Sequence, residues 1–455
     1  MSLYRAFTPL SWRTFFLLLI LALCSASLLF AVHRAAASSD SPSITLPNWT
    51  YWAGTQPPTY AQCKAALGVP CFSPQELRQA YDLTSLVNGG DTGKGQTIVI
   101  IDSYGSPTAW SDLQQFDKDY GLPNPPSFKE LAPFGSVPFD PTNQDQLGWA
   151  GETSLDIQWS HAMAPDASIV VLTSPVSETA GVQGMPQFLQ LEQYALDHHL
   201  GQIISQSWGT PENTLFTPAG QQVFHAFEQF YQQAALHDIT VLSSAGDSGS
   251  ANRDVNGNPY PFPTVVYPAA SPWVTAVGGT SLNADVNGTY LAEIVWNALG
   301  RATGGGKSQE FSEPFYQQLL PKSDQQLLNG HRGLPDVALN AGTPVPVYMS
   351  FFPSSSNANG YHLGGGTSAS APEWAGITAD ANQYVGHPLG FLNPLLYRLG
   401  MNKDVYAQDF HDITTGNNSE DGIPGYQATP GWDATTGWGT PIVQQLFQTL
   451  KDHRL

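Results

Sequence analysis

The stretch Thr97-Ile98-Val99-Ile100-Ile101-Asp102 is a β-branched run ending in an acid. A run with no polar alternation belongs to a strand covered on both faces, as in a parallel sheet flanked by helices. The rhythm then repeats along the chain. A polar helix is predicted from Thr108 to Tyr120, followed by a loop-rich excursion from Gly121 to Asp145. Helices are predicted over Glu152 to Ala162, Gln187 to His198 and Gly220 to His237. Strands are predicted over Ala167 to Leu172, Gln202 to Ser207, Thr240 to Ser244 and Trp273 to Val277. Strands alternating with helices predict an α/β fold: a doubly wound, mostly parallel sheet with helices on both faces. Ligands of such sheets bind beyond the C-terminal ends of the strands. Asp102, Ser205, Ser207 and Asp247 fall at or just after those ends.

Charge narrows the function classes. With 17 Lys and Arg against 37 Asp and Glu, the net charge is −20, which disfavours nucleic acid or an anionic membrane surface as a partner. Charged residues are only 12% of the chain, so the surface relies little on ion pairs and loses little when carboxylates protonate. That suits an acidic medium. Arg5 and Arg13 precede an apolar run from Phe15 to Val32, and Ala35-Ala36-Ala37 offers a cleavage site. Residues 1–37 are therefore expected to be an export signal, with an uncleaved anchor as the alternative, and a secreted chain is expected. Residues 38–72 are Pro-, Ser- and Thr-rich and are expected to form an extended arm, with Cys63 and Cys71 closing one small disulfide loop. Residues 73–455 follow as the main domain.

Three stretches carry chemistry. Gly364-Gly365-Gly366-Thr367-Ser368-Ala369-Ser370-Ala371-Pro372 puts a serine on a Gly-rich turn entering a helix. There the helix N-terminus favours negative charge, so a nucleophile and a developing oxyanion can sit together. A helix cap is the plainer role for Thr367 or Ser368. Glu152 and Asp156 are four apart on a predicted helix beside Leu155, Ile157 and Trp159. Stacked, partly buried acids share protons and can act as a general base with an orienting partner. Asp247, in Ser243-Ser244-Ala245-Gly246-Asp247-Ser248-Gly249, follows a buried strand and is either a turn residue or an oxyanion partner.

Taken together and in this order, these stretches resemble the sedolisin family of serine-carboxyl peptidases. Further matches are Gly93-Lys94-Gly95-Gln96-Thr97, Ile204-Ser205-Gln206-Ser207-Trp208-Gly209, Ala276-Val277-Gly278-Gly279-Thr280, Gly304-Gly305-Gly306-Lys307-Ser308 and Leu334-Pro335-Asp336-Val337. The resemblance implies a subtilisin-like fold with Ser368 as nucleophile, Glu152 as general base, Asp156 orienting Glu152, and Asp247 as the oxyanion-hole acid. It implies a substrate cleft lined by Ser205, Gln206, Ser207, Trp208 and Gly209. A carboxylate base also explains the lack of a catalytic histidine, since imidazole is protonated in acid.

The resemblance further implies one structural Ca²⁺ held by the Asp412 and Asp433 side chains and the carbonyls of Ile413, Thr429 and Gly431. Oxygen donors on Gly-rich turns suit a hard cation. The expected function is a secreted, monomeric, acid-active endopeptidase acting on peptides or proteins. A tripeptidyl exopeptidase and a non-catalytic protein on the same fold are the alternatives. Filled catalytic positions speak against the last. Asp102, lacking a companion His-Gly-Thr segment, reads as a strand-end residue near the cleft. Only about 35 residues separate the expected cleavage point from the main domain, too few for the large propeptide usual in the family.

Overall fold

The computed structural model describes residues 49–452 apart from 55, 179 and 180. The predicted export segment lies outside these residues. In chain order the elements that build the site are β1 (Thr97–Ser103), α1 (Ala109–Tyr120), β2 (Phe128–Leu131), α2 (Gln144–Met163), β3 (Ser168–Ser174), α3 (Met185–Asp197), β4 (Ile203–Gln206), α4 (Pro218–Leu236), β5 (Thr240–Ser244), β6 (Thr275–Ala284), β7 (Tyr290–Val295), β8 (Val337–Asn340) and α5 (Thr367–Val385).

Strands β2, β3, β1, β4, β5 and β6 lie side by side in that order, all parallel. β8 adds a parallel pairing to β6, and β7 runs antiparallel to it. Ile100 of β1 is opposite Val171 of β3, and Asp102 is opposite Thr173. Ile98, Val99, Ile100 and Ile101 are all fully buried although they alternate between faces, so both faces of β1 are covered. Each such isoleucine contributes roughly 1.5–3 kcal/mol of burial. Helices α3 and α4 pack together against β1, β3 and β5, while α2 and α5 pack together against β1, β4 and β5. This is the doubly wound α/β arrangement.

The closest helix contact positions the site. At Gly376 of α5 an added Cβ would lie 2.5 Å from the Met163 Cβ and 2.7 Å from the Ser160 carbonyl oxygen of α2. Only a glycine lets the two backbones approach this far.

Two local expectations are corrected. The excursion 121–145 contains β2, and α2 begins at Gln144, eight residues before the predicted start. Asn143 caps it, its side chain accepting from the Asp145 and Gln146 amides at 3.0 and 3.3 Å. Gly148 and Gly151 mask this first part in sequence, while buried Leu147 and Ala150 hold it in place. The 38–72 arm is not extended throughout. Tyr60–Leu67 is a helix, started by a Thr59–Gln62 capping box and stopped at left-handed Gly68. Cys63 and Cys71 are joined in a disulfide. Ahead of the helix, Thr50 and Tyr51 pair with Leu363 and His362, on the strand that leads into the Gly-rich turn. Among the described residues, no helix is long and apolar enough to cross a membrane.

Candidate active site

Ser368 is the second residue of α5. The residue capping that helix is Gly366, with φ 108°, which removes the plainer role for Thr367 and Ser368 as side-chain caps. Gly366 is required twice over: by its backbone angle and because a Cβ would stand 2.5 Å from Asp247 Oδ2. Pro372, inside α5, lacks the N–H that would bond the Ser368 carbonyl. That carbonyl instead accepts from Ser207 Oγ at 3.2 Å. Ser370 is fully buried, with its hydroxyl on the Leu339 and Asn340 carbonyls at 3.3 and 3.1 Å, a packing role.

Glu152 and Asp156 project from α2, one turn apart, toward the start of α5. Glu152 is hydrogen-bonded to Ser368. Burial and the charges of Asp102 and Asp247 push the Glu152 carboxyl up to about 8, against the Ser368 hydrogen bond and the Arg301 charge. Asp156 is fully buried, and burial, then the charges of Asp102 and Glu152, raise its pKa well above the usual carboxylate range. Ser207 Oγ lies 2.9 Å from Asp156 Oδ1 and 3.2 Å from the Ser368 carbonyl. One hydroxyl proton cannot serve both acceptors. Both contacts are satisfied when Asp156 keeps its proton and donates it to Ser207.

Asp102 belongs to the same cluster. It is fully buried, and burial lifts its carboxyl to about 7, more than the nearby Thr153 hydroxyl lowers it. Three carboxyls packed without a neighbouring cation for each cannot all ionise. Among them Glu152 is the one that meets the Ser368 hydroxyl. The reading of Asp102 as a bystander at a strand end is therefore too modest. Its Ile-Ile-Asp-Ser context showed its place in β1 but not its partners.

Asp247 lies beside Thr367 at the start of α5. Its Oδ1 accepts the Thr367 N–H and hydroxyl, both at 2.8 Å, and its Oδ2 is ion-paired with Arg301. The Gly246 amide donates to the Thr367 hydroxyl at 3.1 Å, closing the loop against α5.

These groups border a cleft of about 400 Å³ lined by Trp49, Asp145, Trp149, Glu152, Glu178, Ser207, Trp208, Gly209, Asp247 and Ser368, among others. Of the five expected cleft residues, Ser207, Trp208 and Gly209 line it. Ser205 and Gln206 do not. Both are fully buried within β4, and Gln206 turns to Glu192 and the Tyr231 hydroxyl. A central parallel strand buries both of its faces, so only residues past its end reach the cleft. Trp208 is braced by Phe188, ring centres 4.5 Å apart. The acidic side of the cleft, Asp145 and Glu178, was not anticipated. Ser177 joins them to Trp149, donating to Asp145 at 2.9 Å and accepting from the indole at 3.0 Å. Burial, then the Asp145 charge, raises Glu178 to about 8. Asp145 lies in what read as a loop, so its facing could not be read.

The C-terminal loops bring the expected calcium residues together. Asp412 accepts the Gly431 N–H at 3.1 and 3.2 Å, and Asp433 accepts the Thr429 N–H at 3.2 Å. Ile413, Thr429 and Gly431 lie outside helix and strand, so no ladder claims their carbonyls. Burial lifts the Asp433 carboxyl to about 6, despite donors from Thr435, Thr436 and Thr429. No trio of His, Cys, Asp or Glu side chains gathers as ligands among the described residues, so a cation here would draw most of its shell from carbonyls. Two acids with carbonyl oxygens are a donor set that fits Ca²⁺.

The model of the subtilase family matches residues 147–396. Kumamolisin of Bacillus sp. (strain MN-32) is 37% identical over 389 residues, covering 83% of this chain and 63% of that protein. Tripeptidyl-peptidase sed4 of Aspergillus fumigatus is 29% identical over 397 residues, covering 78% of this chain and 60% of that protein. The chain thus spans less than two thirds of these relatives' length. Among solved structures, Pseudomonas sedolisin, complexed with two molecules of pseudo-iodotyrostatin, matches with a TM-score of 0.70 at 28% identity, over 85% of this chain and 99% of that one.

Proposed function

The chain belongs to the sedolisin family of serine-carboxyl peptidases, and from that premise we propose that it is a secreted, acid-active endopeptidase working through a Ser368 acyl-enzyme. The observation that carries this reading is the meeting of Glu152 with Ser368 at the N-terminus of α5. Ser368 Oγ attacks the peptide carbonyl while Glu152 takes its proton. Asp156, fixed by Ser207, holds Glu152 in register. The oxyanion forms between the start of α5 and Asp247. Glu152 then gives its proton to the leaving amine, and water repeats the sequence to release the acid. Glu152, which meets the serine hydroxyl, is a carboxyl base of the kind acid chemistry calls for, where imidazole is already protonated.

A digest of a peptide library from strongly acid to neutral pH, with Ser368→Ala beside the wild type, tests the assignment. Ser368→Ala is expected to lose roughly 10⁴-fold or more in kcat. Equal cleavage by both chains, or none by either, sinks the assignment. Cleavage confined to the third bond from the N-terminus would move the protein to the tripeptidyl alternative. Trp49, which lines the cleft, favours that second reading because a bulky wall narrows the path of a long substrate.

We also infer one structural Ca²⁺ on Asp412, Asp433 and the carbonyls of Ile413, Thr429 and Gly431. When bound it would neutralise two carboxylates on loops that lack a cation of their own. Chelation is expected to lower the melting temperature on the order of 5 °C. Identical melting curves with and without chelator, and no calcium found on the purified chain, remove the ion from the account.

A further inference from the structure

Four acids line the cleft, and two of them have no part in the mechanism above. Glu152 meets Ser368, and Asp247 is ion-paired with Arg301. Asp145 and Glu178 are left, and they arrive from different elements. Asp145 stands in the first turn of α2, where an acid also suits the helix dipole. Glu178 follows β3 in a stretch outside helix and strand. The Ser177 hydroxyl that bonds Asp145 belongs to the residue next to Glu178.

Neither acid has a cation. Among the described residues no ion pair includes them, and no Lys or Arg lines the cleft. Glu178 Oε1 is enclosed and has no hydrogen-bond partner. The Asp145 charge adds to burial in opposing ionisation of Glu178, so the two carboxyls stand within electrostatic reach of each other. An enclosed acceptor without a donor is costly. An entering cation would supply the donor and offset the repulsion. Trp149 completes this wall. Its indole N–H is fixed on Ser177, its ring centre lies 6.1 Å from that of Phe188, and it lines the cleft one turn before Glu152. An indole beside two carboxyls gives a guanidinium or a lysine stem a surface to pack on. Along α2, Asp145 and Glu152 are two turns, about 10 Å, apart. An extended peptide advances about 3.3 Å per residue, so this wall stands about three residues from the scissile bond.

We propose that Asp145 and Glu178, with Trp149, form a subsite for a basic side chain of the peptide substrate, Arg or Lys, a few residues from the bond that is cut. This deepens the peptidase reading and rests on it. The two acids determine specificity and take no part in proton transfer. Asp145 meets the cation beside Ser177. Glu178 accepts a hydrogen bond in either state, since a protonated carboxyl keeps one free oxygen. A free N-terminal ammonium has the same charge but no stem to pack on Trp149.

The test is kcat/KM of the full chain for N-acetylated peptides in which Arg, Lys, norleucine or Glu is moved through each position around one cleaved bond. Wild type is run beside Glu178→Gln, Asp145→Asn, Glu178→Lys and Ser368→Ala. At one position wild type is expected to favour Arg and Lys over norleucine roughly tenfold, chiefly through KM. The ratio is expected to fall toward one in Glu178→Gln and Asp145→Asn, and Glu178→Lys is expected to favour Glu at the same position. Glu178→Gln carries the test by itself should Asp145→Asn, which disturbs Ser177, fold poorly. No basic preference in wild type overturns the proposal, and so does a preference that the neutral variants keep. A preference seen only on peptides with a free N-terminus overturns it too, since the acids would then serve an ammonium. Binding of the Arg and norleucine peptides to Ser368→Ala is measured separately. If that variant cleaves as well as wild type, the nucleophile reading fails, and the binding ratio still decides for or against the subsite.

Discussion

Replacing Glu152 with glutamine is expected to lower kcat by roughly 10²–10⁴-fold while leaving the chain folded. The amide matches the carboxyl in shape and can still meet the Ser368 hydroxyl, but its oxygen is far too weak a base to take the proton. The effect on stability should have the opposite sign. Glu152 sits among Asp102, Asp156 and Asp247, and its ionisation is opposed by burial and by their charges. A neutral side chain removes that cost, so Glu152→Gln is expected to melt no lower than wild type at neutral pH. Activity and melting temperature measured on one preparation separate the possibilities. Near-wild-type turnover means that another group is the base. Lost turnover with a lowered melting point means that Glu152 serves the fold.

Stability itself should fall as pH rises. Burial is the first cause of raised carboxyl pKa values at Glu152, to about 8, and at Asp102, Glu212 and Glu228, each to about 7. Burial also raises Asp156, Glu192, Glu373 and Asp380 well above their usual range. A group raised in the folded state binds more protons there than in the unfolded chain. Below the ordinary carboxylate pKa both states are protonated, and the fold keeps its full stability. Between about 4 and about 8 the unfolded chain ionises first, and stability drains away as pH climbs through the folded values. The melting temperature is expected to drop by roughly 5 °C or more across that window. A melting temperature that rises toward neutral pH would mean that these carboxyls find partners they do not have in this structure.

The strands of the parallel sheet were legible because buried runs such as Ile98–Ile101 have few other uses. Thr240–Ser244 was bounded to the residue by its composition alone. Glu152 and Asp156 were legible because a helix turns a spacing of four into proximity. What escaped depends on contacts far apart in sequence. Arg301 and Asp247 are 54 residues apart, and nothing in Leu-Gly-Arg-Ala announces that the arginine reaches back. Asp102 looked isolated because its companions arrive from α2. The motif holding Ser205 and Gln206 is continuous and so points all of it to the cleft, whereas strand geometry buries its first half and brings only Ser207, Trp208 and Gly209 to the cleft wall. The early start of α2 was hidden by two glycines that tertiary packing tolerates.

The close approach at Gly376 has a consequence for safety. The nucleophile and its base ride on two helices whose separation is set by core packing, with no loop between them to fold or unfold on its own. A peptidase is surrounded by copies of itself, and its own loosened segments are the nearest food. A loosening of the core that slides α5 from α2 is expected to part Ser368 from Glu152. With Ser368 as the proposed nucleophile, core packing would then act as an interlock, switching off cleavage as the chain begins to open.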